Sequence, residues 1–317
     1  MKKLLSLAPT LAMAFIISAC DNKSKETVRF ATVKSDSAGL AAIAIEQGFF
    51  KKQGLDVKVF YVDAGVQAMQ ALVSGSVDFA SVVDTNVATL GFSGNEEVLV
   101  LASTNNYTAS TIVARKSAGI DSPKDLKGKR LAISSGTTSE IYADRLLKKY
   151  GLSFNDVEIR KLAPGAIGAA LVSKNVDAVS VWEPWGYNAA KAVGDDTIRF
   201  KEPSVYTANM FLAANREFAN NNRAATVKFL QAMKNAANFA KNNPDKAQAI
   251  LAKVINLDLE IVQNIWDGSD YDITFDNEYI DRVIKVGKFY KEDKANAGKA
   301  LPDYAKYFDG SFAGETK

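Results

Sequence analysis

Short apolar runs of strand length alternate along the chain with longer runs whose apolar residues recur every three or four positions. Val28–Val33 reads as a strand, and the run from Ala38 to Lys52 reads as a helix with Leu40, Ile43 and Ala44 on one face, closed by Gly54. A strand over Val57–Val62, a helix over Val66–Ser74 and strands over Val77–Val83 and Val98–Ala102 continue the alternation. Ser122-Pro123-Lys124-Asp125 has the form of a capped helix start with proline in the first turn. Strand Arg130–Ser134 then leads into a helix whose Ala143, Leu146, Leu147 and Tyr150 share a face and which Gly151 ends. From Arg223 the pattern is mostly helical, with a start at Asn243-Pro244 and a later face of Ile280, Val283, Ile284 and Gly287. Alternating βα units predict an α/β fold of mainly parallel sheets with helices on both faces. The 317 residues are too many for one ordinary core, so two lobes are expected.

An ungapped internal repeat sharpens this architecture. Displaced by 99 positions, the segment from Ala71 to Asp84 lies over the segment from Ala170 to Glu183, with eight of fourteen residues identical. Each copy reads as a helix end, a turn and a buried strand that stops at a carboxylate, Asp84 in one and Glu183 in the other. Ala-Leu-Val-Ser and Val-Asp are common vocabulary of helices and strands, but fourteen aligned positions make chance the weaker account. Ligands of parallel α/β sheets bind at the C-terminal ends of strands. Asp84 and Glu183 are therefore expected at equivalent places on opposite walls of a cleft. Two further strand-like segments, Ser110–Arg115 and Asn209–Asn215, are expected to carry the chain from the first lobe to the second and back. Two such crossings make a hinge suited to closure on a small ligand.

The N-terminus has chemistry of its own. Lys2 and Lys3 precede an apolar stretch from Leu4 to Ala19, short of the ~20 residues of a membrane span and shaped like a secretory signal. It ends in Ile17-Ser18-Ala19-Cys20, which resembles a bacterial lipobox. That resemblance implies a signal peptide over residues 1–19, diacylation of the Cys20 thiol and a polar tether over residues 20–27. It also implies a lipid anchor in the cell envelope, and Asp21 points to the periplasmic face of the inner membrane. A plain signal peptide with an incidental cysteine is the simpler alternative. Removal of residues 1–19 leaves 37 basic residues against 36 acidic ones, a net charge near +1. No basic stripe with interleaved aromatics accompanies it, so nucleic acid is not expected as a partner.

Composition narrows the chemistry. With 47% hydrophobic and 24% charged residues the chain is ordinary globular material, neither disordered nor disulfide-rich. It has no histidine and one cysteine. This removes Ser-His-Asp and Cys-His catalysis, imidazole metal ligands and zinc sites built on cysteine pairs. An enzyme would have to use carboxylates, lysine, tyrosine or a cofactor, so a binding protein with neither cofactor nor metal is the expectation.

Several segments together resemble the periplasmic substrate-binding proteins of the nitrate, sulfonate, taurine and thiamine-precursor ABC importers. They are Ala-Ile-Glu-Gln-Gly-Phe-Phe-Lys-Lys-Gln-Gly-Leu-Asp-Val at 44–57, Leu-Val-Ser-Gly-Ser-Val-Asp-Phe-Ala at 72–80, Asp-Leu-Lys-Gly-Lys-Arg-Leu-Ala at 125–132 and Asp-Ala-Val-Ser-Val-Trp-Glu-Pro-Trp at 177–185. The resemblance implies a two-lobed periplasmic-binding-protein fold of type II kind, with residues 28–112 and 210–317 in one lobe and 113–209 in the other. It implies a monomeric, non-enzymatic solute-binding lipoprotein that captures a small organic anion or zwitterion of the taurine or alkylsulfonate class. ABC permease subunits would be its partners. A thiamine-type aminopyrimidine, nitrate or another small anion is the alternative ligand, and a sensor or adhesion role without transport stays open.

By this resemblance the cleft is lined where strands end. The matching positions are Ser35, Asp36 and Ser37, then Asp84, Thr85 and Asn86, then Ser135, Gly136, Thr137 and Thr138, and last Trp182 and Glu183. The turn from Ser134 to Thr138 offers backbone N–H groups, hydroxyls and a positive dipole end to a sulfonate, nitrate or carboxylate group. A threonine or serine there is also an ordinary helix cap. The turn lacks the Lys-Ser/Thr ending of a P-loop, so nucleotide phosphate is not indicated. Asp84 and Glu183 would suit an amine on the ligand, since a buried carboxylate needs a partner. Glu183 has an equal alternative in a protein Lys or Arg, or in capping the helix opened by Pro184. Trp182 is the aromatic candidate for stacking on a flat ligand. Tyr107, Trp185, Tyr187 and Tyr206 are weaker candidates for the cleft, while Met210 and Phe211 are expected in the crossover strand. Whether Lys34 or Arg115 reaches the cleft to balance an anion is open.

Overall fold

Among the residues that the computed structural model describes, 26–107, 110–266 and 271–316, ten strands form two five-stranded sheets with no strand in common. Residues 1–25 lie outside them, and with them the segment expected to be a signal peptide, Cys20 and most of the expected tether.

β1 (Glu26–Val33) is followed by a 3-10 turn, Asp36–Ala38, by α1 (Gly39–Glu46) and by the short α2 (Phe49–Lys52). The single helix expected here is divided because Gly48 takes a left-handed φ of +68°, which ends one helix and begins the next. β2 (Leu55–Val62), α3 (Gly65–Val73), β3 (Phe79–Val83), α4 (Asp84–Ser93) and β4 (Val98–Tyr107) complete the first pass. The hydrophobic pattern does not predict α4. Eight of its ten residues are buried, so it has no polar face to create a period. The chain enters the second sheet through β5 (Ser110–Arg115), where Ser122 opens only a 3-10 turn, Pro123–Leu126. β6 (Arg130–Ile133), α5 (Thr138–Lys149), β7 (Glu158–Lys161), α6 (Pro164–Val172), β8 (Ala178–Trp182), α7 (Trp185–Val193) and β9 (Thr197–Phe200) follow. β10 (Ala208–Asn215) returns to the first sheet, and the remainder is largely helical.

The strand orders are β2-β1-β3-β10-β4 and β7-β6-β8-β5-β9. Strands β2, β1 and β3 are mutually parallel, as are β7, β6 and β8, whereas β10 and β5 pair antiparallel with both neighbours. The sheets are therefore mixed rather than mainly parallel. Parallel neighbours need a crossover connection, which the βα units supply. β5 and β10 arrive from the other sheet instead and run against the strands beside them.

The repeat has a structural reason. Asp78 accepts hydrogen bonds from Arg29 N at 2.8 Å, Nε at 3.2 Å and Nη2 at 2.6 Å. Asp177 accepts the same three from Arg130, at 3.0, 3.0 and 2.7 Å. Each aspartate clasps the first parallel strand of its sheet to the strand that ends at the site. Arg115 joins the second clasp, 3.0 Å from Asp177, and is 6% exposed. On the far face of the first sheet, Phe79 stacks on Phe229 of the helix Arg223–Asn242 at 4.0 Å between centroids, with Phe30 and Phe50 against the same ring. Burying one such ring is worth about 1.5–3 kcal/mol, so this cluster fastens the C-terminal helices to the sheet.

Candidate functional site

The ends of β1, β3 and β8 meet at a cavity of ≈ 400 Å³, its mouth included. The first sheet contributes Val33, Ser35 and Ser37 from the β1 end, Gly65 from the start of α3, Ser81, Val82 and Val83 of β3, Asn86 from the first turn of α4, and Met210 of β10. The second contributes Thr137 and Thr138 from the start of α5 and Trp182 from the end of β8. The cavity thus lies between the two sheets.

Among the described residues no charged side chain lines it. Helical starts surround it instead: the 3-10 turn at Asp36, α3 at Gly65, α4 at Asp84 and α5 at Thr138. First turns carry N–H groups with no intrahelical acceptor, together with the positive end of the peptide dipole. Thr137 Oγ1 donates to the Ser134 carbonyl at 2.6 Å and accepts the Ser139 N–H at 3.3 Å, so it is a helix cap. Ser37 Oγ donates to the Val33 carbonyl at 3.0 Å and lies 3.1 Å from Ser35 Oγ, which leaves the Ser35 proton for Ser37 or for a ligand. The hydroxyls of Ser81 and Thr138 and the indole N–H of Trp182 have no hydrogen-bond partner among the described residues. They are neutral donors available to a guest.

Of the residues carried from the sequence, Ser35, Ser37, Asn86, Thr137, Thr138 and Trp182 line the cavity. Asp36, Asp84, Thr85, Ser135, Gly136 and Glu183 are near it in sequence but outside its lining. Ser135 is exposed, Thr85 is wholly buried within α4, and Asp36 is buried with its carbonyl accepting the Tyr271 O–H at 2.5 Å. Asp84 accepts from the Tyr206 O–H at 2.6 Å, the Thr85 N–H at 2.8 Å and the Asn209 N–H at 3.3 Å. Burial pushes this carboxyl up to about 6 against the pull of those hydrogen bonds and of Arg145. Glu183 is 3% exposed, pairs with Arg199 and accepts the Tyr187 N–H at 2.8 Å in the first turn of α7. Protein groups thus answer both carboxylates. Tyr206 serves Asp84, Arg115 serves Asp177, and Lys34 is exposed, so none of the three lines the cavity.

Other lining residues escaped the sequence pattern. Val82 and Val83 read only as strand core, and Met210 does belong to the crossover strand as expected while also facing the cavity wall. Gly65 has a steric reason: a Cβ there would sit 2.3 Å from Asn86 Oδ1. Asn86 also reaches across the cavity, with Nδ2 donating to the Gly136 carbonyl at 3.4 Å. Gly136 takes φ +71°, and its open side faces Val66 of α3. This contact joins the two sheet units directly.

The family model described as NMT1/THI5 like matches residues 35–247. A protein of Escherichia coli (strain K12) whose name refers to aliphatic sulfonates is 27% identical over 265 residues, covering 83% of this chain and 82% of its own. The taurine-binding periplasmic protein of the same organism is 30% identical over 161 residues, 50% of this chain and 49% of its own. The crystal structure of the periplasmic aliphatic sulphonate binding protein SsuA from Escherichia coli aligns with a TM-score of 0.75 at 23% identity, over 90% of this chain and 92% of that one. The fold is accordingly the two-lobed α/β architecture of periplasmic binding proteins.

Proposed function

We propose a function from one premise: this chain belongs to the NMT1/THI5-like family. It is the solute-binding component of an ABC importer, and it holds a small organic anion of the alkanesulfonate class between its lobes. One lobe is built on the sheet whose strands lie within residues 26–107 and 208–215, and the other on the sheet within residues 110–200, so the boundaries fall a few residues from those expected at 112 and 210. The observation that carries the reading is the convergence of helical starts and neutral donors on a cavity that, among the described residues, no charged side chain lines. Such a wall stabilises one delocalised negative charge through hydrogen bonds and aligned dipoles. Val33, Val82, Val83 and Met210 give the apolar remainder of the ligand a dry surface. An ammonium group finds no carboxylate in that lining, which favours an alkanesulfonate over taurine. The names of the aliphatic-sulfonate relatives agree with this choice.

The lipobox adds the location. Cys20 carries the lipid, the protein stays at the periplasmic face of the inner membrane, and the closed form meets the permease there. Cys20→Ser is expected to leave ligand affinity unchanged and to release the protein from membranes; continued membrane association would contradict the anchor.

Isothermal titration with propanesulfonate, taurine, nitrate and an aminopyrimidine tests the ligand class. Propanesulfonate is expected to bind most tightly. Binding of the aminopyrimidine with no response to any sulfonate would overturn the reading.

A further inference from the structure

One buried charge near the cavity has no part in the function proposed above. Glu140 stands in the first turn of α5, 8% exposed, behind Thr137 and Thr138. Its Oε2 accepts the Gly136 N–H at 2.8 Å, so it occupies a donor of the same turn that faces the cavity. Among the described residues no Lys or Arg comes within 4.0 Å of it, and Lys161 acts on it only from farther away. The opposite wall has a matching feature. Asp84 occupies the first position of α4, two residues before Asn86, is 2% exposed, and feels Arg145 only at a distance. Two helical starts of the cavity are thus already answered by a buried carboxylate, while the donors that line it are neutral.

We propose that Glu140 is a specificity-determining residue that restricts the ligand to a single negative charge. It does not touch the ligand; it acts through the helix start, offsetting part of the positive end of α5. A sulfonate, with one charge spread over three oxygens, is still held by hydroxyl, indole and backbone donors. A phosphonate dianion of the same shape brings a second charge towards a buried carboxylate that no nearby cation balances. This inference rests on the anion reading of the cavity.

The test compares propanesulfonate with propylphosphonate by isothermal titration of the full chain, at an alkaline pH where the phosphonate is a dianion. The wild type is expected to prefer the sulfonate by roughly tenfold or more, the order expected for one charge acting across a helical turn. Glu140→Gln keeps an oxygen for the Gly136 N–H and is expected to narrow the preference roughly tenfold, through tighter phosphonate binding. Glu140→Asp keeps the charge and is expected to keep the preference, whereas a purely structural role would be disturbed by the shortened side chain as much as by Glu140→Gln. An unchanged ratio in Glu140→Gln, a lost preference in Glu140→Asp, or equal binding by the wild type overturns the inference while leaving the sulfonate reading in place. Absence of any propanesulfonate binding overturns both.

Discussion

Asp84 makes the stability of this protein depend on pH in a direction opposite to that of most paired carboxylates. Its carboxyl ordinarily ionises near 3.8, and burial raises this to about 6 in the fold. Between those values the unfolded chain has lost the proton and the folded chain still holds it. The folded state therefore binds more protons in this window, and raising the pH through it removes stability. The loss is complete above about 6. A gap of about two pH units at ~1.4 kcal/mol each corresponds to about 3 kcal/mol. Asp84→Asn removes the titration. The amide oxygen can still accept from Tyr206 and Thr85, but its NH₂ then faces the Asn209 N–H, an offset of about 1–3 kcal/mol that is the same at every pH. Melting temperatures of the two proteins should be followed by calorimetry from pH 4 to pH 8. The wild-type value minus the variant value is expected to fall by roughly 5–10 °C between pH 4 and pH 7, and to stay level above it. Parallel curves, or a difference that rises with pH, would refute the assignment of a destabilised carboxylate at this position.

The two aspartate clasps should respond unequally. Asp177→Asn leaves Arg115 buried without its carboxylate and is expected to cost about 3 kcal/mol in urea unfolding, whereas Arg29, whose side chain is 42% exposed, lets Asp78→Asn cost less than half as much. Equal losses would count against that account. Gly136→Ala forces a side chain into φ +71°, with an expected loss of about 1–2 kcal/mol and a propanesulfonate affinity roughly tenfold weaker, because the carbonyl that receives Asn86 shifts; unchanged affinity would remove that contact from the ligand-bound form. Trp182→Phe keeps an aromatic ring but deletes the pyrrole half of the indole with its N–H, so a rise in Kd of roughly fivefold or more is expected, and no change would show that the ligand does not use the N–H.

The strands that end at the cavity were legible because the repeat marks them: Val-Asp opens each, and Asp84 or Glu183 closes it. The crossover strands were legible as apolar runs flanked by polar turns. What the sequence could not supply was which atoms answer those carboxylates. Arg199 lies sixteen positions beyond Glu183 and Tyr206 lies 122 beyond Asp84, separations that only the folded chain closes. The helix beginning at Asp84 was hidden for a different reason, since an element buried all round shows no alternation of polar and apolar faces. Glu140 carries no mark in the sequence, because hydroxyls and N–H groups are the features of a helix start that point to an anion. A carboxylate in the first turn is a familiar capping choice, and only its burial gives it further meaning.

The strand order also fixes when each half of the molecule can be completed on the ribosome. All five strands of the second sheet lie between Ser110 and Phe200, so that unit has every pairing partner as soon as its own residues emerge. The first sheet does not. β4 pairs with β10 and with no other strand of its sheet, and β10 begins only at Ala208. The unit whose synthesis starts first must therefore wait, with β4 unpaired, until the unit inserted within it has been made. A holding factor, or transport across a membrane in the unfolded state, would find its natural target in that interval, when the apolar run from Val98 to Ala102 has no neighbour to cover it.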